Sequence, residues 1–273
     1  MTRILVRPPG REDVPSWEAL GWRAAPDPAR LADEHARFRG ALADAGAEVI
    51  EVRGEPGNLD SIYVYDPVLV TPRGAILLQP GKAGRRGEPE ALAPDLPLPV
   101  LGHLEGDELA EGGDTVWLDE RTLLVGHTYR TNASGIGALR RLLPEADIFA
   151  FHLPHFHGRG EVLHLRSLLN PLTPQLVVAY PPLMPVALVE LLEARSIVVV
   201  EVPDEEFETM GPNVLGLPNG QALALAGNRV TRERLESAGL EVVEYDGDEI
   251  SRKGDGGPTC LTLPVDFGPP RSS

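Results

Sequence analysis

Short apolar runs recur in pairs along the chain, and the residues between the two members of each pair are typical of tight turns. This pattern predicts β-hairpins from Ser61–Val70 with Ala75–Leu78, Thr115–Leu118 with Thr122–Val125, Val162–Leu169 with Gln175–Tyr180, and Val214–Leu217 with Ala222–Leu225. The clearest turn is Pro218-Asn219-Gly220, because asparagine followed by glycine favours a two-residue hairpin loop. The hairpins start roughly 50 residues apart, which is the spacing of a repeated supersecondary unit.

Most of these hairpins are followed by a helical pattern of apolar residues and then by one more strand. The predicted pairs of helix and strand are Ser134–Leu143 with Asp147–Phe151, and Pro185–Ala194 with Ile197–Val202. Another helix is expected between Thr231 as its N-cap and Gly239 as its C-cap, ahead of a strand at Glu241–Tyr245. The first hairpin is followed by a weaker helix, Glu88–Ala93, which prolines bound. Each unit is therefore predicted as two strands, a helix and a strand.

A fifth unit is divided between the two ends of the sequence. Cys260–Val265 is predicted as its first strand, Arg3–Val6 as its second, Asp27–Ala45 as its helix and Glu48–Val52 as its last strand. This arrangement closes a ring and leaves no long free strand edge. We therefore predict a single α/β domain over residues 1–273, with five ββαβ modules around a pseudo-fivefold axis. Residues 267–273 are expected to form a frayed tail.

Polar and reactive side chains lie at or near the start of each predicted module. They are Asp60 and Asp66, Glu111 and Asp114, His164, Asn213, and Cys260. A packed apolar core has no use for such groups, because burying them without partners costs free energy. Their convergence from five modules predicts a buried catalytic centre.

The composition restricts the class of ligand. The chain has 273 residues, of which 42% are hydrophobic, so a sizeable core is possible. Its net charge is -16 and it has no dense run of lysine and arginine, which makes nucleic acid and anionic membranes poor partners and favours cationic ligands. The single cysteine fits a reducing cytoplasm. We expect neither a signal peptide nor a membrane span, because the apolar runs are too short.

Three motifs, in order along the chain, resemble those of the guanidine-modifying enzymes of the pentein fold. They are Glu-Gly-Gly-Asp at 111–114, His-Leu-Arg-Ser at 164–167 and Thr-Cys-Leu at 259–261. The superfamily includes arginine deiminases, amidinotransferases and dimethylarginine dimethylaminohydrolases, and this chain is most similar to the last of these. The resemblance implies a pentein α/β-propeller, in agreement with the five predicted modules.

The resemblance also implies catalytic roles. Cys260 matches the nucleophile, His164 the general acid and base, and Glu111 the acid that orients the histidine, while Asp114 has a structural or secondary role. Most cysteines are buried small hydrophobes. The glycines before Cys260, however, form a poor lead-in to a core strand. Arg166 stands where arginine deiminases have an aspartate that grips the guanidinium, which counts against plain arginine as the substrate.

Further residues match the substrate-binding positions of the family. By resemblance Asp66 holds the guanidinium, Asp60 helps to hold the α-amino end, and Arg85 and Arg130 clasp the α-carboxylate. Ordinary solvated surface positions are the alternative for all four. Even spacing on one strand is expected to direct Asp60 and Asp66 to the same side.

Two more positions complete the predicted substrate-binding set. Tyr65 stands where dimethylarginine enzymes usually have a glutamate, which leaves the exact substrate open. Leu20 is the other, and it lies in the segment Ser16–Ala25, which is either a lid or a packed connector.

These inferences lead to a cysteine-dependent hydrolase of a guanidino amino acid, with N-methylated arginine as the expected substrate. The reaction passes through a covalent thiouronium intermediate to citrulline and an alkylamine, and it needs neither a metal nor an organic cofactor. An amidinotransferase or an arginine-deiminase-type enzyme is the alternative, and a non-catalytic binding protein is a more remote one. A homodimer is possible. His152, His155 and His157 form either a zinc site or a loop of exposed imidazoles.

Overall fold

The computed structural model describes residues 2–161 and 163–267 and contains five three-stranded sheets. The strands are β1 Arg3–Val6, β2 Glu48–Glu51, β3 Val68–Thr71, β4 Gly74–Leu77, β5 Val100–His103, β6 Thr115–Trp117, β7 Thr122–His127, β8 Asp147–His152, β9 Leu169–Thr173, β10 Leu176–Ala179, β11 Val198–Glu201, β12 Leu215–Leu217, β13 Gln221–Leu225, β14 Glu241–Tyr245 and β15 Leu263–Pro264. The α-helices are α1 Pro28–Asp44, α2 Glu88–Leu92, α3 Ala133–Leu142, α4 Val186–Ala194, α5 Asp204–Phe207 and α6 Arg229–Ser237.

All five sheets have the same connectivity. In each, the central strand pairs antiparallel with the strand before it and parallel with the strand that follows the module's helix. The hairpin between β12 and β13 turns at Asn219 (φ 63°) and Gly220 (φ 75°), both in the left-handed region that this turn requires. The predicted ββαβ modules are therefore present.

The hydrophobic core explains why the modules form a ring. Successive side chains of a strand point to opposite faces, so each central strand contributes to two apolar clusters. In β7, for example, Leu123 and Val125 pack with the module before, whereas Leu124 packs with the module after. Each of the five clusters joins at least two neighbouring modules, and the one containing Ile4 and Leu223 joins the last module to the one built from both ends. The order is cyclic, which agrees with the predicted ring.

The module divided between the ends is closed by β15 and β1. Leu5 lies opposite Leu263 in this antiparallel pair, and the guanidinium of Arg3 binds the carboxylate of Asp266 at 2.6 Å. Phe267, where the frayed tail was expected to begin, packs edge to face on Trp117 with ring centroids 5.1 Å apart. The rest of that tail, residues 268–273, lies outside the described residues.

Three predicted strands start later than the sequence indicates. Leu59–Ile62 and Leu165–Ser167 form 3₁₀ turns, and Cys260 lies in a turn ahead of β15. Asp60 and Asp66 are therefore not on one strand, and that part of the prediction was wrong. Val162, the expected start of one strand, lies outside the described residues.

The physical reason for these differences is that the polar segments end at a cavity, where turns direct side chains inward. The strand β9 begins at Leu169 and includes residues predicted as a turn, Asn170 to Thr173. The Asn170 amide donates to the carbonyls of Arg166 and Pro212, which holds this strand against the neighbouring turns.

The predicted N-cap of the last helix was also wrong. Helix α6 begins at Arg229 after Asn228, and Thr231 lies inside it. The carboxylate of Glu206 accepts from the backbone N–H groups of Val230 and Thr231, each at 2.7 Å. A side chain from α5 thus caps the helix, which local sequence cannot reveal. Among the described residues, no helix combines the length and the apolar character that crossing a membrane requires.

Candidate active site

A cavity of about 380 Å³ lies at the centre of the ring, and polar groups from all five modules line it. They are Asp60, Asp66, Glu111, His164, Asn213 and Cys260. Asp114 is fully buried behind this wall. The convergence expected from the sequence is therefore present, although several of these residues lie in turns and not on strands.

His164 and Glu111 form a buried pair at the cavity wall. The Nε2 atom of His164 lies 2.8 Å from Oε2 of Glu111, whose side chain is almost fully buried. The other oxygen, Oε1, accepts from the backbone N–H of Lys82 at 3.0 Å and from Nη1 of Arg130 at 3.2 Å. Burial alone would raise the pKa of Glu111, but the hydrogen bond and charge of His164, with Arg130, lower it to about 2. Glu111 is therefore a carboxylate at neutral pH.

The backbone on both sides of this pair fixes the imidazole. Asp114 accepts from the N–H of Leu165 at 3.1 Å and from the hydroxyl of Thr128 at 2.6 Å, and burial raises the pKa of Asp114 to about 6. Gly113 lies directly under the ring, where a Cβ atom would approach Nδ1 of His164 to 2.3 Å. Burial lowers the pKa of His164, but the charges of Asp114, Glu111 and Asp66 outweigh it and raise that pKa to about 9. The imidazole is thus protonated at neutral pH.

Cys260 faces the cavity from the end of a glycine-rich turn. Its sulfur lies 3.7 Å from Nδ2 of Asn213, and Oδ1 of Asn213 accepts from the backbone N–H and the hydroxyl of Thr259. A Cβ atom on Gly257 would come within 2.4 Å of the Asn213 side chain, so the turn can approach only as glycine. Removal from bulk water and the charge of Asp66 raise the pKa of the Cys260 thiol. The resting sulfur is therefore protonated.

Arg85 is buried in a cluster of carboxylates and is not a solvated arginine. Its Nη1 atom binds Asp66, while Nε and Nη2 donate to the two oxygens of Glu88, each at 2.8 Å. The Nη2 atom also donates to the carbonyl of Tyr63 at 2.9 Å. Burial raises the pKa of Glu88 to about 7, even though Arg85 opposes this shift. The guanidinium donors of Arg85 are thus largely used within the protein.

Asp60 has partners that the sequence analysis did not identify. Its Oδ1 accepts from the indole N–H of Trp22 at 2.8 Å, and its Oδ2 accepts from Nζ of Lys82 at 2.5 Å. The same ammonium donates to the carbonyl of Leu20. In the sequence, the sign that Lys82 and Glu88 belong to this charged cluster was that each lies three residues from Arg85.

The segment Ser16–Ala25 is a packed connector at Trp22, which is buried and stacks on Tyr63 with ring centroids 5.8 Å apart. Leu20 and Arg23, from the same segment, line the cavity. Arg23 pairs with Asp255 across the cavity mouth at 2.7 Å. Because Trp22 is packed in place, only its neighbours Leu20 and Arg23 are left as candidates for a lid over the cavity.

Tyr65 is not among the described residues that line the central cavity. The guanidinium of Arg166 lies over the Tyr65 ring, with its Cζ atom 4.2 Å from the ring centroid. The Tyr65 hydroxyl accepts from Nη2 of Arg166 at 2.5 Å. Arg166 itself lines the cavity. Tyr65 thus reaches the cavity wall through Arg166 and through its own backbone N–H, which donates to the carbonyl of Cys260 at 3.3 Å.

The donor atoms in the described part of the chain define one set that could hold a metal ion. Single ligand atoms of Asp66, Glu111 and His164 lie within 4.8 Å of one another, but Arg85 and Arg130 already bind the two carboxylates.

The three histidines considered as a zinc site have separate partners. The ring centroid of His152 lies 4.4 Å from that of His127. The Nδ1 atom of His155 shares a hydrogen bond of 2.8 Å with the hydroxyl of Tyr129, and Nε2 of His157 lies 3.4 Å from Oε1 of Glu208.

Comparisons with known proteins agree with the fold and with these motifs. Residues 27–266 match the family model of eukaryotic N,N dimethylarginine dimethylhydrolase. The chain is 29% identical over 267 residues to the N(G),N(G)-dimethylarginine dimethylaminohydrolase of Pseudomonas aeruginosa, covering 95% of this chain and 98% of that protein. A solved structure of a cysteine-to-serine mutant of the Pseudomonas aeruginosa enzyme, complexed with citrulline, superposes with a TM-score of 0.78 at 27% identity, over 96% of this chain and 98% of that chain.

A more distant likeness supports the fold alone. The N-terminal domain of an arginine dihydrolase of Cyanobacteria, bound to product, has a TM-score of 0.83 at 21% identity and covers 99% of this chain and 98% of that chain. Together these structures confirm the predicted five-module pentein architecture.

Proposed function

The chain belongs to the N,N dimethylarginine dimethylhydrolase family, and from that premise we propose that Cys260, His164 and Glu111 hydrolyse the guanidino group of methylated arginine. The protein is a hydrolase that acts on carbon–nitrogen bonds of linear amidines. The observation that carries the assignment of residues is that the buried pair of His164 and Glu111 lines the same cavity as the single thiol of the chain. A ring protein that only binds a ligand has no need of a thiol and a protonated imidazole in one cavity.

The first half of the reaction forms a carbon–sulfur bond. Binding of a guanidinium cation next to Cys260 favours loss of the thiol proton, because an adjacent positive charge stabilises the thiolate. The thiolate adds to the guanidinium carbon, and the bond from that carbon to the methylated nitrogen then breaks. His164, protonated at rest, donates a proton to the departing dimethylamine. An S-alkylthiouronium remains on Cys260.

The second half uses the same imidazole in the opposite direction. His164, now neutral, takes a proton from a water molecule that attacks the thiouronium carbon. The carbon–sulfur bond breaks, and the departing Cys260 thiolate takes up the remaining proton of the added water, which restores the resting thiol. The product is a ureido amino acid, citrulline when the substrate is dimethylarginine. Glu111 stabilises the imidazolium each time it forms, as the third member of a triad does. Dividing one difficult step into two easier ones is the advantage of covalent catalysis.

The remaining groups of the cavity orient the substrate. Asp66 is proposed to face the guanidinium, and Arg130 to hold the carboxylate. Arg130 suits the carboxylate better than Arg85, since its Nη1 atom makes one ion pair, at 3.2 Å with Glu111, whereas Arg85 binds two carboxylates and backbone carbonyls. Arg85 is proposed instead to hold Asp66 in place. No metal or organic cofactor takes part in these steps.

The ligand proposed for the protein is a small guanidino amino acid, and the location proposed is the cytoplasm. The free thiol of Cys260 fits a reducing compartment. A homodimer stays a prediction.

Replacement of the nucleophile tests this function. Cys260→Ser is expected to lower the formation of ureido product from asymmetric dimethylarginine by at least about a hundredfold, because a hydroxyl is a far weaker nucleophile than a thiolate. Arginine, monomethylarginine and asymmetric dimethylarginine are assayed side by side, and a thiol-directed alkylating agent is expected to add once, with protection by excess substrate. Ser237→Ala, on the exposed face of α6, is the matched control. Near-normal turnover by Cys260→Ser would refute the cysteine mechanism.

A further inference from the structure

Lys82 occupies a position in the cavity that a substrate ammonium would need. Its Nζ atom donates to Oδ2 of Asp60 at 2.5 Å and to the backbone carbonyl of Leu20. Asp60 is the group expected to hold the α-amino end of an amino acid, and Leu20 was placed among the substrate contacts. One carboxylate and one carbonyl are what an ammonium group binds, and here a lysine of the protein already binds both.

The charge at Asp60 leaves little room for a second ammonium. The side chain of Asp60 is 4% exposed, and besides Lys82 it has the guanidinium of Arg85 at 3.9 Å. Its other oxygen accepts from the indole of Trp22. An incoming α-ammonium would therefore meet the ammonium of Lys82 at the carboxylate oxygen that it needs, and like charges in a partly buried site repel strongly. It would have to displace Lys82 in order to bind.

The same lysine suits a carboxylate. An ammonium has three protons, and two of those on Lys82 are directed to Asp60 and Leu20. The side chain of Lys82 is 25% exposed and that of Arg130 is 13% exposed, and both residues line the cavity. The backbone N–H of Lys82 and the guanidinium of Arg130 also share one acceptor, Oε1 of Glu111, so the Arg130 guanidinium lies close to the backbone of Lys82.

We propose that Lys82 is a specificity-determining residue that fills the α-ammonium subsite, so that the enzyme favours ω-guanidino carboxylic acids that lack an α-ammonium over guanidino amino acids. This proposal rests on the proposed cysteine-dependent hydrolysis. Dimethylarginine is then a substrate that binds at the cost of displacing Lys82, which raises its KM more than it lowers kcat. The desamino acid of the same length binds without that displacement.

A pair of substrates that differ only in the α-amino group tests the inference. Asymmetric dimethylarginine is compared with its desamino analogue, 5-(N′,N′-dimethylguanidino)pentanoate, in the parent enzyme, Lys82→Ala and Lys82→Met. In the parent, kcat/KM is expected to be about tenfold or more higher for the desamino acid, the effect of one hydrogen-bonded charge. Both variants free Asp60 for the α-ammonium, so the ratio should shift towards dimethylarginine by about tenfold or more, mostly through KM.

The control and a binding measurement separate the possible outcomes. Arg86→Ala removes a cation from the same segment, but Arg86 is exposed and is not among the described residues that line the cavity, so the ratio should not change. Calorimetric binding of arginine and of 5-guanidinopentanoate to Cys260→Ser, with and without Lys82→Met, should show the same reversal without turnover.

The role of Lys82 would be overturned if kcat/KM were about equal for the desamino acid and dimethylarginine in the parent and stayed so in Lys82→Met. If that turnover still depended on Cys260, the hydrolase function would remain intact. Absence of any ureido product that depends on Cys260, from either compound in any variant, would instead refute the hydrolase function and this inference with it.

Discussion

The protonation states of three side chains set the resting chemistry of the cavity. Glu111 is ionised, His164 is an imidazolium and Cys260 is a thiol, because burial and neighbouring charges move their pKa values in different directions. The group proposed as the acid of the first step, His164, is therefore already protonated before substrate binds. Cys260, in contrast, rests as a thiol, and the positive charge of the substrate has to favour its conversion to the thiolate. An electrophilic thiol reagent without such a charge meets a less reactive sulfur.

The pH profile follows from the imidazole. In the proposed mechanism His164 has to be protonated to donate to the leaving amine, so kcat/KM is expected to fall as the pH rises through about 9, its pKa. Glu111→Gln removes one of the charges that raise this pKa. We therefore expect the falling limb to move to lower pH and the maximal kcat/KM to drop by about a hundredfold or more.

The control for this measurement is Glu108→Gln. The carboxylate of Glu108 pairs with Arg141 at 2.9 Å, and Glu108 is not among the described residues that line the cavity. An alkaline limb that stays at the same pH in Glu111→Gln, with full activity, would show that Glu111 does not tune His164.

At the level of the element, the short turns before the strands position the reacting groups. The 3₁₀ turn Gly112–Asp114 passes directly under His164, and the turn Leu165–Ser167 begins right after it. Glycine is needed in the first turn because the ring and the backbone are in contact. The strands supply a rigid base, and the turns determine where each side chain points.

Alanine in place of one glycine tests this contact. Gly113→Ala brings a Cβ atom to 2.3 Å from Nδ1 of His164, so the ring has to move. A displacement of this order is expected to lower kcat by about a hundredfold. Gly137→Ala is the matched control, because nothing lies within 4 Å of its Cβ position in α3, and alanine there should raise stability by about 1 kcal/mol. Equal kcat values for the two variants would contradict the positioning role.

Sequence reasoning succeeded where local signals govern structure. The turn at Asn219 and Gly220, the helices α1, α3 and α4, and the division of one module between the ends all follow from local pattern. It failed where polar segments reach the cavity, because the expected strands at Asp60 and His164 are replaced by turns whose side chains have partners far along the chain. The ion pairs of Lys82 and Arg85 could not be predicted for the same reason.

At the scale of the whole molecule, the stability of the ring depends on closure. Each apolar cluster is shared by at least two modules, so a module that detaches exposes both of its faces. The antiparallel pair of β15 and β1 closes the ring, with Leu5 and Leu263 fully buried. The order of modules in space matters for this closure, whereas the position of the chain ends does not.

Moving the chain ends tests this view. A circular permutant that joins residues 267 and 2 through a short flexible linker, with new ends between Asn219 and Gly220, should unfold within about 5 °C of the parent and keep its activity. A second permutant with new ends between Leu223 and Ala224 cuts the central strand β13 and should not fold. Thermal unfolding and ureido-product formation are measured on both. Equal loss of folding in the two permutants would show that continuity at the ends is itself required.

The place of Cys260 in the chain has a consequence for biosynthesis. A ribosome makes the acid partner and all the carboxylates of the cavity before it makes the thiol, and β15, which closes the ring, follows only a few residues later. A nascent chain thus carries no nucleophile until it is almost able to fold completely. A chain that terminates before residue 260 lacks the thiol of the proposed mechanism, so it cannot form the proposed covalent adduct with a guanidino compound.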